Sequence, residues 1–208
     1  NVSGWDISGI TTFFVAFRGC SSLTNLDMSG WDTAAVTTFY GIFQDCTSLI
    51  TLDVSAWDTS IVTTFYSAFY NCASLITLDV SAWDISAVTT FSYAFYNCTS
   101  LTTLDVSAWN TSGVTDFSYA FRSCTSLTTL ALNNWDITSV TTMENMLVND
   151  TLTTANYSDI LIAFEAQAVL DNVSFHGGNS KYSAGAAATA RAALIADHSW
   201  TITDGGQE

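Results

Sequence analysis

The sequence predicts an α/β solenoid, a right-handed coil with one short parallel strand and one short helix or 3-10 turn per 26-residue repeat, plus a small α/β C-terminal cap. Three observations predict it. Trp5, Trp31, Trp57, Trp83, Trp109 and Trp135 recur at an unbroken spacing of 26 residues. Cys20, Cys46, Cys72, Cys98 and Cys124 recur at the same spacing, with Asp150 in the sixth place. Ahead of each tryptophan, apolar and polar residues alternate in the same frame. Equal unit lengths mean one structural element stacked on itself, each copy burying against its neighbour a face that it cannot bury alone. The pattern divides the chain into about six units over residues 1–150 and a closing segment over 151–208.

The unit from Ser48 to Cys72 stands for the others. Leu52 and Val54 alternate with Thr51, Asp53 and Ser55, the period-2 pattern of a half-buried strand. Stacking then places successive strands in parallel and in register, about 4.7–4.9 Å apart. Further on, Val62, Phe65 and Phe69 stand at i, i+3 and i+7 with Ala68 beside them, so a short helix with one inward face is expected. Its β-branched start, Ile61 to Thr64, limits it to two turns or a 3-10 turn. Asp58, Thr59 and Ser60 precede it as N-cap candidates. Trp57 sits between strand and helix, and large aromatics repeated at one position are expected to stack as a buried ladder. The chain has no proline, which leaves the turns to Ser, Thr, Asn, Asp and Gly.

After Val140-Thr141-Thr142-Met143 the pattern decays: Leu147 replaces phenylalanine and Asp150 replaces cysteine. An amphipathic stretch from Ser158 to Val169 and an alanine-rich one from Ser183 to Asp197 predict two helices, each beginning on a capping residue. Between them Val173 to Ser180 reads as a short strand and a turn, and Trp200 to Thr203 as a final strand. Together they read as a cap over the last open unit. Asn1 has no comparable cover, so either more repeats precede it, or a partner or another copy lies against that end.

The formal charge is −15, from 19 acids against Arg18, Arg122, Lys181 and Arg191. That balance argues against nucleic acid or an anionic lipid surface as a partner. No run approaches the roughly 20 apolar residues of a membrane span, so no membrane insertion is expected. The cysteines are odd in number and none has a second cysteine in its own repeat, so neither a disulfide framework nor a metal knuckle fits. They are read as buried free thiols, with disulfides between neighbouring turns as the alternative. His176 and His198 are the only histidines, Glu144 and Glu165 are isolated, and no nucleophile, metalloprotease or phosphate-loop motif occurs, so no enzyme is expected.

Two segments carry a family resemblance. AFYNCTSLTTLDVSAWNTSGVTDF, residues 94–117, and the same frame in the other units resemble the BspA-type leucine-rich repeat family of bacterial and protist surface proteins. The tail NSKYSAGAAATARAALIADHSWTITDGG, residues 179–206, resembles the module that closes such arrays in marine bacterial surface proteins. The resemblance implies a leucine-rich-repeat fold and an extracellular or cell-surface, non-enzymatic protein of adhesion or recognition. It carries over no catalytic residue. One departure is that many relatives place methionine where this chain has Phe65, Phe69 and their equivalents, so the interior is more aromatic here.

Outward residues of the expected strand layer form columns: Asn25, Thr51, Thr77, Thr103, Thr129; Asp27, Asp53, Asp79, Asp105, Ala131; and Ser29, Ser55, Ser81, Ser107, Asn133. Neighbouring aspartates about 5 Å apart repel by roughly 0.8 kcal/mol per pair in water, so cations, raised pKa values, hydrogen bonds or a basic partner must relieve them. The column is therefore the candidate contact face for a protein or glycan on a surface or for another copy of the chain, with a calcium bridge as one form. The alternative is a solvated face whose hydroxyls hydrogen-bond along the stack. A second acidic column, Asp6, Asp32, Asp58, Asp84, Asn110 and Asp136, follows the tryptophans and reads as helix capping, with calcium as the runner-up. Exposed tyrosines on the helical side, Tyr40 and Tyr66 in one register and Tyr70 and Tyr96 in another, form a third candidate. The columns change to Ser92 and Ser118 in later repeats. An adhesion or recognition module is the leading reading, and a structural subunit or spacer of an extracellular filament, surface layer or phage fibre is the alternative.

Overall fold

A computed structural model of the chain describes Val2 and residues 4–208. Successive 26-residue units are joined edge to edge by backbone hydrogen bonds. Strand β1 (Asn25–Leu26) pairs in parallel with β2 (Thr51–Leu52), Asn25 facing Thr51. The column continues as single bridges, Thr51 to Thr77 and Thr77 to Thr103. A second column of bridges runs from Thr12 through Thr38, Thr64, Thr90 and Asp116 to Thr142. The expected strands are thus shorter than the alternating pattern suggests. The side chains of Asp27, Asp53, Asp79 and Asp105 each take the backbone N–H of the serine two residues on, and this pulls the chain into a turn.

No helix forms where Val62, Phe65 and Phe69 predict one; residues 66–71 are a run of turns. Ser67 and Asn71 sit in the left-handed region, at φ 53° and 59°. The N–H groups of Ser67, Phe69 and Asn71 donate to the carbonyls of Ser92, Ala94 and Tyr96 in the next unit, while those of Ala68, Tyr70 and Cys72 donate three residues back. The reason is economy of backbone bonding. A helix of two turns leaves four N–H and four C=O groups unbonded at its ends, whereas stacked turns of equal length hand every second N–H to a neighbour.

The interior follows the same repeat. Trp57, Trp83, Trp109 and Trp135 stack with centroids 6.0, 6.4 and 6.1 Å apart. Phenylalanines interleave with them, Phe65 lying 4.5 Å from Trp83 and 5.4 Å from Phe91. The indole N–H groups of Trp31, Trp83, Trp109 and Trp135 donate to carbonyls 29 residues earlier. Trp5 departs from the buried ladder: it is 56% exposed. All five cysteines are free thiols, Cys20 exposed and the other four buried. The buried four donate to carbonyls 29 residues earlier, and burial pushes the Cys46 thiol up to about 12.

In the last unit no strand forms at Thr129 and Leu130, and a 3-10 turn, Leu132–Asn134, stands where earlier units turn after the aspartate. The closing segment then forms α1 (Thr154–Glu165), β3 (Ser174–His176), α2 (Ala186–His198) and β4 (Thr201–Thr203), with β3 and β4 parallel. Strand β3 lies against the last unit: the N–H groups of Met143 and Leu147 donate to the carbonyls of Ser174 and His176. Both helices begin elsewhere than expected. Helix α1 starts four residues before Ser158, because Thr153 accepts from the Asn156 N–H and Ser158 instead donates to the Thr154 carbonyl. Helix α2 starts after Gly185, at φ 79°, with no side-chain cap. Arg191 and Asp204 pair at 2.7 Å and Tyr157 donates to the same carboxylate. No described helix is long and apolar enough to cross a membrane.

Candidate recognition surfaces

The first strand residues of each unit lie in register, so the outward columns come together as one face. Asp27, Ser29, Thr51, Asp53, Ser55, Thr77, Asp79, Ser81, Thr103 and Asp105 are exposed there, and Ser107 is half-buried. A shallow depression of about 440 Å³ runs over three units, lined by Asn25, Asp27, Thr51, Asp53, Thr77 and Asp79, with Leu26 and Leu52 in its floor. Each aspartate is fixed by its own unit. The hydroxyls of Ser29, Ser55, Ser81 and Ser107 donate to Oδ1 of Asp27, Asp53, Asp79 and Asp105 at 2.8, 2.6, 2.7 and 2.6 Å. The same Oδ1 atoms also accept the serine backbone N–H.

Two charge-assisted bonds on one oxygen favour the ionised form. The Ser55 hydroxyl and N–H hold Asp53 below the usual carboxylate range, and Ser107 does the same for Asp105. Of the four ways to relieve the column, the structure therefore brings in hydrogen bonds, and raised pKa values are overturned for these two residues. The serines bond within their unit rather than along the stack. Oδ2 of Asp53, Asp79 and Asp105 takes no hydrogen bond from the described residues. Among the described residues no group of three or more His, Cys, Asp or Glu side chains is placed to hold a metal ion.

The second acidic column closes turns instead of capping helices, since no helix follows it. Asp58 accepts from the Ser60 N–H and hydroxyl at 3.0 and 2.7 Å, and Asp136 from those of Thr138 at 3.0 and 2.6 Å. The serine bonds hold Asp6, Asp58 and Asp84 below the usual range.

The tyrosines are half-buried rather than exposed, because they stack on each other. Phe14, Tyr40 and Tyr66 follow one another at 4.8 Å, and Tyr70 lies 4.7 Å from Tyr96. The row does not stop where Ser92 and Ser118 enter. Tyr93 and Tyr119, one residue further along, take over, 4.5 Å apart, with Tyr66 5.8 Å from Tyr93. They occupy left-handed backbone at φ 59° and 60°, as do the equivalent Val15, Gly41, Ser67 and Asn145 of the other units. That conformation costs a non-glycine residue about 1–2 kcal/mol, a cost the turn carries in unit after unit and not at the tyrosines alone. The exchange of Tyr66-Ser67 for Ser92-Tyr93 and Ser118-Tyr119 is the sequence signal that marks the continuous ridge. The Arg122 guanidinium lies 5.8 and 5.6 Å from the Tyr96 and Tyr119 ring centres.

The family described as Mycoplasma protein of unknown function, DUF285, matches residues 1–77 and 63–162. The chain belongs to that family. The two matched stretches overlap and together take in the whole repeat region and the start of α1. No curated protein and no solved structure matches the chain.

Proposed function

We propose that this DUF285 chain is a leucine-rich-repeat-like solenoid of the BspA type that acts, without catalysis, as an extracellular or cell-surface adhesion and recognition module. Its contact face is the Thr-Asp-Ser layer, and its partner is a protein or glycan that supplies hydroxyl, amine or guanidinium donors. One observation carries this reading. Asp53, Asp79 and Asp105 stand in line on an exposed face, each with Oδ1 locked by its own serine and Oδ2 left for an incoming donor. A carboxylate row already oriented by short hydrogen bonds loses little freedom on binding, and its field speeds the approach of a cationic partner.

The test is a glycan and surface-protein binding screen with and without Ca²⁺, comparing the native chain with the variant carrying Asp53→Asn, Asp79→Asn and Asp105→Asn. Loss of the strongest ligands by about tenfold or more, at an unchanged melting temperature, supports the face. Equal binding by both proteins rules it out. Light scattering on the same samples separates a monomeric recognition module from a polymerising structural subunit.

A further inference from the structure

The tyrosine ridge shares no residue with the Thr-Asp-Ser face and has its own chemistry. Its rings stack in pairs, Tyr40 on Tyr66, Tyr70 on Tyr96 and Tyr93 on Tyr119, with Tyr93 tilted against Tyr66 and Tyr70, so most faces are covered while edges and phenolic hydroxyls remain for a partner. A row of O–H donors repeating about every 4.8 Å suits a chain rich in carbonyl acceptors and poor in N–H donors. Arg18 and Arg122 occupy the same position in units four repeats apart, about 19 Å along the stack. Among the described residues neither forms an ion pair with a carboxylate, and the buried Arg122 Nε has no acceptor. In a chain of net charge −15, two unpaired cations at the two ends of one ridge match two anions at the two ends of one ligand.

We propose that the ridge binds an extended, proline-rich polypeptide segment with a carboxylate at each end of a run of about six residues. In the polyproline II conformation such a run rises about 3.1 Å per residue and spans about 19 Å, the separation of the two arginines. That conformation has no internal hydrogen bonds, so its carbonyls accept from the tyrosine hydroxyls. Its proline rings enter the groove of about 410 Å³ between Phe14, Gln44, Tyr66 and Tyr93. Aromatic-lined grooves take proline-rich segments in this way because the ligand is already extended before it binds. An acidic oligosaccharide fits less well, since sugars lie flat on open ring faces and most faces of the ridge are covered by stacking. Tyr93 and Tyr119 keep an aromatic ring in the row after the tyrosine shifts by one residue in the sequence, as a contact surface requires.

The experiment is a fluorescence anisotropy titration of the full chain with labelled Glu-Pro-Pro-Pro-Pro-Pro-Glu. Saturable, salt-sensitive binding is expected. It weakens about tenfold or more in the variant carrying Arg18→Gln with Arg122→Gln. Tyr70→Phe with Tyr96→Phe, which keeps the stacked rings and removes only hydroxyls, weakens it several-fold. The Asp53→Asn, Asp79→Asn, Asp105→Asn variant binds as the native chain does, which separates this surface from the strand face. The proposal is overturned by no saturable binding, by equal affinity for the peptide with glutamine at both ends, or by capture of oligogalacturonate with no capture of the peptide.

Discussion

Two regions of this molecule satisfy their backbones in opposite ways. In the closing segment, α1 and α2 bond within themselves, and Thr153 ends one of them with a side-chain cap. In the repeat region, every second N–H of residues 67–71 leaves its own unit for a carbonyl of the next. The two regions nevertheless share an apolar pattern with helical spacing. The comparison teaches that such a pattern reports which side chains face inward, not where the backbone bonds go. Where equal units stand edge to edge, the neighbour competes with the helix for each N–H and wins whenever the segment is too short to offset its own unbonded ends.

The sharpest way to break the comparison is to empty the repeat interior. Phe91 stacks on Phe65, Phe117 and Trp109, and Phe91→Ala is expected to cost about 3–5 kcal/mol, read as a fall in the urea midpoint. The seam between the regions comes next. Gly178, at φ 69°, lies against the carbonyls of Leu147 and Asp150, so a methyl group there has no room; Gly178→Ala is expected to cost about 3 kcal/mol by the same measurement.

The seam also sets a pH dependence. Asp150 takes the place of cysteine in the thiol column, both its carboxylate oxygens are buried without a partner, and burial pushes its pKa up to about 8. The folded chain therefore keeps a proton that the unfolded chain releases above about pH 4. The stability this contributes is fully present below that pH, falls as pH rises towards about 8, and is lost above it. Asp150→Cys is expected to raise the urea midpoint at pH 9 and to flatten its change between pH 5 and pH 9; an unaltered slope contradicts the assignment.

Two single hydrogen bonds sharpen the contrast at the small end. Thr153→Ala is expected to cost about 1 kcal/mol and to lower the helical circular dichroism. Ser55→Ala costs about 1 kcal/mol and leaves the helical signal intact, but it raises the Asp53 pKa towards the ordinary carboxylate value, a shift visible in a carboxyl NMR titration.

These differences also account for what could be read in advance. The strand face is legible because a period of two needs only side-chain alternation, and Thr51, Asp53 and Ser55 lie outward as that alternation requires. The placing of α1 and α2 is legible within a few residues because local propensity decides isolated helices. The turns at 66–71 are not, since their partners lie 25 residues on, in the next unit. The tyrosine ridge is half legible: Tyr40, Tyr66, Tyr70 and Tyr96 share columns, but Tyr93 and Tyr119 stand one residue further along and join them only through ring contacts across units.

Everything proposed for the two surfaces depends on successive units being bonded edge to edge, which holds each outward column in line. Through-hydrogen-bond scalar couplings measured by NMR test this directly. Couplings are expected from the Phe69 nitrogen to the Ala94 carbonyl carbon and from Asn71 to Tyr96, matching the bonds of 2.8 and 2.7 Å. Couplings from the same nitrogens to carbonyls four residues earlier would mean a helix in each unit and would contradict the account.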